Sequence, residues 1–362
     1  MVNVTEKQVL DALSNVIDPD LNKDIVSLGF IENLVIDGST VKFNLVLTTP
    51  ACPMKDKMKS EAEENVRKIE GIDIVDITLS ARTQPSREPE EAFPDIKHVL
   101  LVASGKGGVG KSTIAVNLAV ALKETGAAVG ILDADIYGPS VPAMLGVHGQ
   151  PKVDNKKMVP PVAYGMPVMS IGFLADDDQA LIWRGPILHQ VLTQFVQDVN
   201  WGCLDYLIID LPPGTGDVQI SLAQLARASA ALLVSTPQDM AFRDVKRAAV
   251  MFKKVDIPII GLVENMSVFT CPHCGKETEV FPSSFKDGTR HITEDLYVET
   301  LVGVPLEPEI ALTGETGKPI VIGQPDSATA KSFIELAGKV AQKLSILAAS
   351  TKHPVASGKS DQ

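Results

Sequence analysis

Eight consecutive residues, Gly105-Lys106-Gly107-Gly108-Val109-Gly110-Lys111-Ser112, set a glycine, four further residues and then Gly-Lys-Ser between two patterned segments. The apolar run HVLLVAS precedes them, and a stretch whose Ile114, Leu118, Ala121 and Leu122 share one helical face follows. Glycines at this spacing let the backbone curl so that its N–H groups converge on an anion at the positive end of a helix. In such a loop Lys111 reaches the outer phosphates of a nucleotide and Ser112 offers its hydroxyl to magnesium, while the backbone from Gly105 to Thr113 forms the cradle. A chance glycine-rich turn would explain neither flank. Lys106, a second lysine inside the loop, reads by itself as a solvated side chain.

Acidic residues at further strand ends fit the same place. Asp133 and Asp135 close AAVGILDAD and Asp210 closes YLIID, so all three are expected at the carboxyl edge of a parallel sheet, beside the phosphate loop. Carboxylates there hold magnesium through water and orient an attacking water. Asp210 opens the run DLPPGTGD, stiff at its prolines and free at its glycines, which suits a loop that senses a terminal phosphate. For Asp135 and for Asp217, at the end of that run, helix capping is the plain alternative. Asn265, at the end of GLVENM, is placed to hydrogen-bond a purine edge, or else is an ordinary turn residue.

Cys271-Pro272-His273-Cys274-Gly275 is the other chemical feature. Two thiols separated by two residues can grip one metal centre, but structural zinc and most iron-sulfur clusters need four ligands. A second copy of the chain, related by a two-fold axis, is the simplest source of the missing pair. Soft thiolates suit an iron-sulfur cluster or zinc. The alternatives are a zinc knuckle completed by His273 or His291, and a redox dithiol. Of the other cysteines, Cys203 borders an apolar strand and is expected to be a small buried hydrophobe. Cys52 precedes a helix, whose N-terminus would lower its pKa and make it a better ligand, unless it is merely structural.

These groups need elements to hold them. Val9, Leu10, Leu13, Val16 and Ile17 recur at helical spacing before Asp18-Pro19-Asp20. A hairpin follows, turning at Asp37-Gly38, then a helix over 54–69 and a strand over 72–79, an α-β-β-α-β domain over residues 1–80. Residues 81–95, polar with three prolines, have linker composition. From Ile96 near-continuous apolar strands alternate with helical patterns, which predicts a doubly wound, mainly parallel α/β domain over 96–350; the polar 351–362 tail is expected to be disordered. The whole chain has 362 residues, 45% hydrophobic and 22% charged, with a net charge of −12. That balance works against general nucleic-acid affinity, no apolar run is long enough to cross a bilayer, and no signal-peptide layout opens the chain. The expected compartment is the cytoplasm, with neither nucleic acid nor membrane as a partner.

With KGGVGKS, DADIYGPS, DLPPGTGD, ENM and CPHCG in order, residues 96–345 resemble the Mrp family of P-loop ATPases, called ApbC in bacteria, which are relatives of MinD, ParA and the nitrogenase iron protein. The first 80 residues, through DPDLNKDIVSLGF and TTPACP, resemble the small iron-sulfur-assembly domain that often precedes Mrp. The resemblance implies ATP, Mg2+ and an iron-sulfur cluster carried between the two chains of a homodimer and passed to apo-proteins. It implies that Lys106 reaches the partner's nucleotide as a charge delivered in trans, the mark of the deviant Walker A loop. It also makes Lys106, Lys111 and Asp135 the catalytic residues and Cys271 with Cys274 the cluster ligands. The N-terminal four-cysteine motif of eukaryotic relatives is not present here. A MinD- or ParA-like spatial organiser with a zinc knuckle is the alternative, and it would call for a basic stripe or an amphipathic C-terminal helix.

Overall fold

The structure, a computed structural model, describes residues 4–83, 85, 93–174, 185–271, 273–281 and 298–352. Most of the expected linker (84 and 86–92), His291 and the tail from 353 lie outside the described residues. The chain divides into two compact units, one of residues 1–86 with 341–362 and one of residues 87–340.

In the first unit α1 (Glu6–Leu13) starts at a capping box. The Thr5 hydroxyl accepts from the Gln8 amide, and the Gln8 side chain accepts from the Thr5 amide. The helix ends earlier than the apolar spacing predicts. The Ser14 hydroxyl and the Asn15 amide turn back onto the carbonyls of Leu10 and Asp11, and Ile17 passes into a two-residue ribbon, β1 (Ile17–Asp18) with β2 (Lys23–Asp24). β3 (Ile31–Asp37) and β4 (Thr40–Leu47) form the expected hairpin, with Gly38 at φ 58° in its turn. α2 (Lys55–Arg67) then returns the chain so that β5 (Ile74–Ala81) lies parallel to β4. Val41, Phe43 and Leu45 point to one face of β4 and bury against Val9, Leu13, Met58 and Val66; Lys42 points to the other.

The second unit alternates strands and helices: β6 (Ile96–Ser104), α3 (Lys111–Glu124), β7 (Val129–Asp133), α4 (Val141–Met144), β8 (Lys152–Asp154), β9 (Lys157–Val159), β10 (Val162–Ala163), β11 (Met166–Ser170), α5 (Gly185–Gln197) and β12 (Leu204–Asp210). It continues with α6 (Asp217–Leu225), β13 (Ala230–Ser235), α7 (Asp239–Lys254), β14 (Ile259–Thr270), β15 (Glu277–Thr278), β16 (Thr300–Leu306), α8 (Pro308–Glu315) and α9 (Ile320–Gly323), while α10 (Ala328–Lys352) begins in this unit and from Ala341 onward belongs to the first. Among the described residues the sheet runs β10-β11-β7-β12-β6-β13-β14-β15, with β16 also on β14. The central pairings are parallel. β7 and β13 are buried at every position, as a parallel sheet covered on both faces requires. Strand β6 lies between β12 and β13; the connection leaving β6 runs to β7 on one side and the connection leaving β12 runs to β13 on the other, and ligand crevices form where neighbouring connections diverge in this way. The hairpin β8–β9 was not legible as a strand pair: its turn uses Asn155 and Lys156, both at positive φ, where glycine is the usual signal.

Phe43 is 2% exposed at the centre of the first unit's core. Phe43→Ala is expected to cost that unit about 3–5 kcal/mol, measured as lost hydrogen-exchange protection of the β3, β4 and β5 amides in urea.

Candidate functional site

The loop between β6 and α3 has the form its glycines require. Gly108 and Gly110 take φ of 80° and 81°, and Gly110 is the N-cap of α3. A Cβ on Gly110 would lie 2.2 Å from Asn265 Nδ2, and one on Gly105 would lie 2.1 Å from the Asp244 carbonyl carbon. The first position needs glycine for conformation and space, the second for space alone. Ser104 Oγ donates to the Lys106 carbonyl at 2.9 Å and steadies the entry.

Lys111 is buried at the start of α3. Its ammonium lies 2.7 Å from Asp210 Oδ1 and 3.4 Å from Asp135 Oδ2, while Ser112 Oγ donates to Asp210 Oδ2 at 2.5 Å. Register places Asp210 opposite Asp133 on β7. Burial pushes the Asp210 carboxyl up, and the Lys111 ammonium and Ser112 hydroxyl pull it back. Burial and the Asp210 charge push Asp133 up to about 7, against the backbone N–H groups of Asp135 and Val141. One ammonium thus faces a larger acidic cluster, and a hydroxyl and carboxylates supply hard oxygen donors, the set magnesium takes.

Asp133 does not face outward as a ligand. Its oxygens accept from the Asp135 and Val141 amides and from Ser170 Oγ, each at 3.1 Å, so it shapes the segment that carries Asp135. Asp135 accepts from the Tyr137 amide at 3.2 Å and keeps its other oxygen toward Lys111. Gln219 holds the loop after Asp210 by donating to the carbonyls of Pro212 and Pro213 at 3.1 and 2.9 Å. Asp217 is the first residue of α6.

Asn265 is not at a strand end. β14 continues to Thr270, interrupted at Met266 (φ 58°) by a register shift against β16. Within it Asn265 Nδ2 donates to the Val109 carbonyl at 2.8 Å, so this amide secures the phosphate loop. It also borders a pocket of about 440 Å³ that opens beside the loop, lined by Thr113, Val116, Met266, Leu306 and Ile310 among others. A largely apolar pocket with a few polar groups, here the side-chain amides of Asn117 and Asn265 among them, is the form of a base site.

Cys271 directly follows β14. β15 pairs back on Phe269 and Thr270, the Cys271 amide donates to the Lys276 carbonyl and the Gly275 amide to the Cys271 carbonyl, and Gly275 takes φ 67°. The pair therefore sits at a hairpin tip, Cys271 half-buried and Cys274 exposed. The amides of His273 and Cys274 and the Cys274 thiol hold the Cys271 thiol below its usual range. Among the described residues no three His, Cys, Asp or Glu side chains are grouped to hold a metal, so His273 does not complete a site with the pair.

Of the other two cysteines, Cys203 departs from expectation and Cys52 takes the structural one of its two readings. Cys203 is exposed rather than buried, because Gly202 at φ 69° turns the chain and burial resumes only at Leu204. Cys52 is buried, and burial pushes its thiol up to about 11, with Asp20 and Asp18 adding to the effect. The turn holding it ends before α2 begins at Lys55, and desolvation outweighs any pull from the helix end.

Sequence reasoning missed Ser170, Gln219 and Gln238, the last of which accepts from Lys106 Nζ at 3.1 Å. Gln238 lies just past the end of β13, the strand beside β6, and strand adjacency was the signal that would have found it.

The comparisons with known proteins agree with this geometry. A family model described as NUBPL iron-transfer P-loop NTPase matches residues 95–341, and one described as iron-sulfur cluster assembly protein matches residues 6–79. The iron-sulfur cluster carrier protein of Synechocystis sp. is 43% identical over 353 residues, covering 95% of this chain and 99% of its own. A nucleotide-binding protein from Archaeoglobus fulgidus, solved in complex with ADP, superposes with a TM-score of 0.58 at 33% identity over 68% of this chain and 96% of its own. The cell division ATPase MinD of Pyrococcus furiosus shares the fold, with a TM-score of 0.52 at 24% identity over 67% and 98% of the two chains. On the match over most of its length, with the phosphate loop and its acidic cluster in place, the chain belongs to the NUBPL iron-transfer P-loop NTPase family.

Proposed function

We propose that this chain is an ATP-hydrolysing carrier that holds an iron-sulfur cluster between two copies of itself and passes it to apo-proteins. The observation that carries the reading is the Cys271/Cys274 pair at an exposed hairpin tip, with two thiols and no third ligand grouped with them among the described residues, just beyond the end of the strand that carries the amide securing the phosphate loop. A half-site at a surface suits a cargo that must arrive and leave. A structural metal would be enclosed by four ligands of one chain. A shared four-iron cluster would take both thiols from each copy, and those soft ligands suit it.

The nucleotide end is assigned residue by residue. The Gly105–Thr113 backbone binds the phosphates, with Lys111 leaving Asp210 for their oxygens. The pocket beside Asn265 takes the purine. Ser112 and Asp210 are the oxygen donors that would hold Mg2+, which supplies charge neutralisation on the phosphates. Asp135, fixed through Asp133, orients the attacking water. Lys106 completes the site of the other copy. Hydrolysis yields ADP and phosphate and changes how the two copies face each other, and that change is what loads or releases the cluster. Residues 1–80 form a separate assembly-associated domain.

Localisation in the cytoplasm is part of the proposal. No helix among the described residues is long and apolar enough to cross a membrane. The spatial-organiser reading loses its support because the apolar stripe of α10, from Ala330 and Phe333 to Leu344 and Ala348, is buried. That face is occupied in the fold and is not free to lie on a lipid surface.

Lys111→Ala is expected to lower ATP hydrolysis on the order of 100-fold or more and to abolish cluster transfer in cells; transfer at the wild-type level would remove ATP from the mechanism. Protein purified without oxygen is expected to hold about four iron and four sulfide per dimer, one four-iron cluster, and Cys274→Ser to lose both. Zinc without iron after reconstitution would instead make the pair a structural knuckle.

A further inference from the structure

The second loop lysine is not loose in the single protomer. Lys106 Nζ donates to Gln238 Oε1 at 3.1 Å. Gln238 is the N-cap of α7, with extended backbone at φ −74° and ψ 132°, and its side chain caps no N–H of that helix. N-cap positions favour short side chains that fold back onto the first turn. This longer one reaches out to the loop.

Register makes the meeting unavoidable. Val234 on β13 lies opposite Ser104 on β6, so the chain leaving one strand toward Gln238 runs beside the chain leaving the other toward Lys106. The loop is also pressed directly on α7, where Gly105 leaves no room for a Cβ against the Asp244 backbone. The lysine and its amide partner are thus held in one place by backbone on both sides.

We infer that Gln238 is a positioning residue that keeps the Lys106 ammonium on its own protomer until a second, nucleotide-loaded copy offers phosphate oxygens. The inference rests on the trans role of Lys106 proposed above. A neutral amide oxygen is suited to the task. The ammonium already makes a charge-assisted bond to the amide, but phosphate oxygens add the attraction of unlike full charges, which a neutral amide oxygen lacks, so they outcompete it. A carboxylate at the same place would not be displaced as readily. An apolar side chain would leave the lysine unrestrained. Gln238 therefore sets the nucleotide threshold at which two copies join.

The test uses the full chain with ATP and Mg2+, following dimer formation by sedimentation and hydrolysis as a function of protein concentration. Gln238→Ala is expected to lower the ATP concentration for half-maximal dimerisation by about 10-fold or more, the loss of one hydrogen bond to a charged group. Gln238→Glu is expected to raise it, and in a Lys106→Ala background Gln238→Ala is expected to change nothing. Shifts of the same sign from the Ala and Glu variants, or an Ala effect that survives in the Lys106→Ala background, would overturn the inference and mark Gln238 as a structural residue of α7. Lys106→Ala protein that dimerises and hydrolyses like wild type would overturn the trans role itself, and the inference with it.

Discussion

The buried contact between Lys111 and Asp210 is the interaction on which the second unit turns. An ammonium and a carboxylate 2.7 Å apart, at 6% and 0% side-chain exposure, are each costly to bury without the other, and removing one partner of such a pair typically costs about 3–5 kcal/mol. Their meeting dictates the architecture around them. Asp210 must end a central strand, Lys111 must open a helix that starts beside that strand's carboxyl end, and the connection before it must be thin enough to pass. The loop glycines meet the last need, and Asp133, tied to Ser170 and to the Val141 amide, fixes the neighbouring acidic segment. Such a pair is poised for exchange: polyphosphate offers the ammonium more negative charge, and a divalent cation offers the carboxylate a replacement.

The two chemistries of the molecule are kept apart by hardness and joined by covalent chain. Oxygen donors gather at the carboxyl edge of β7 and β12; sulfur donors stand at the tip beyond β14. Strand β14 touches both ends, Asn265 against Val109 and Thr270 against Cys271. Between them Met266 takes a left-handed conformation that a non-glycine residue adopts at a cost, and the ladder to β16 loses its register. On the proposed reading, this irregular stretch is where a shift at the phosphate loop becomes a shift at the thiols.

Much of this was legible in the sequence because the relevant constraints are local. A phosphate loop announces itself through glycine spacing, and strand ends announce themselves where an apolar run meets Asp133 or Asp210. The CxxC pair needs no fold to be recognised. What was not legible depended on neighbours distant in sequence. Asn265 looked like the end of a strand because nothing local says that β14 resumes after Met266. Cys203 adjoins an apolar run, which predicts burial, and one left-handed glycine turns it outward. At Cys52 the sequence leaves a helix-end ligand and a structural thiol both open, and the core around it decides for the second. Gln238 carries no motif, and its meaning comes from β13 lying beside β6.

The central claim, that the nucleotide loop governs the cluster at the thiols, is most directly tested by the rate at which loaded protein passes its cluster to an apo-acceptor, measured with ATP and Mg2+ and again without nucleotide. The account predicts rates that differ by at least about 5-fold, the lower end of ordinary coupling between sites. Equal rates, with ATP hydrolysed throughout, would contradict it.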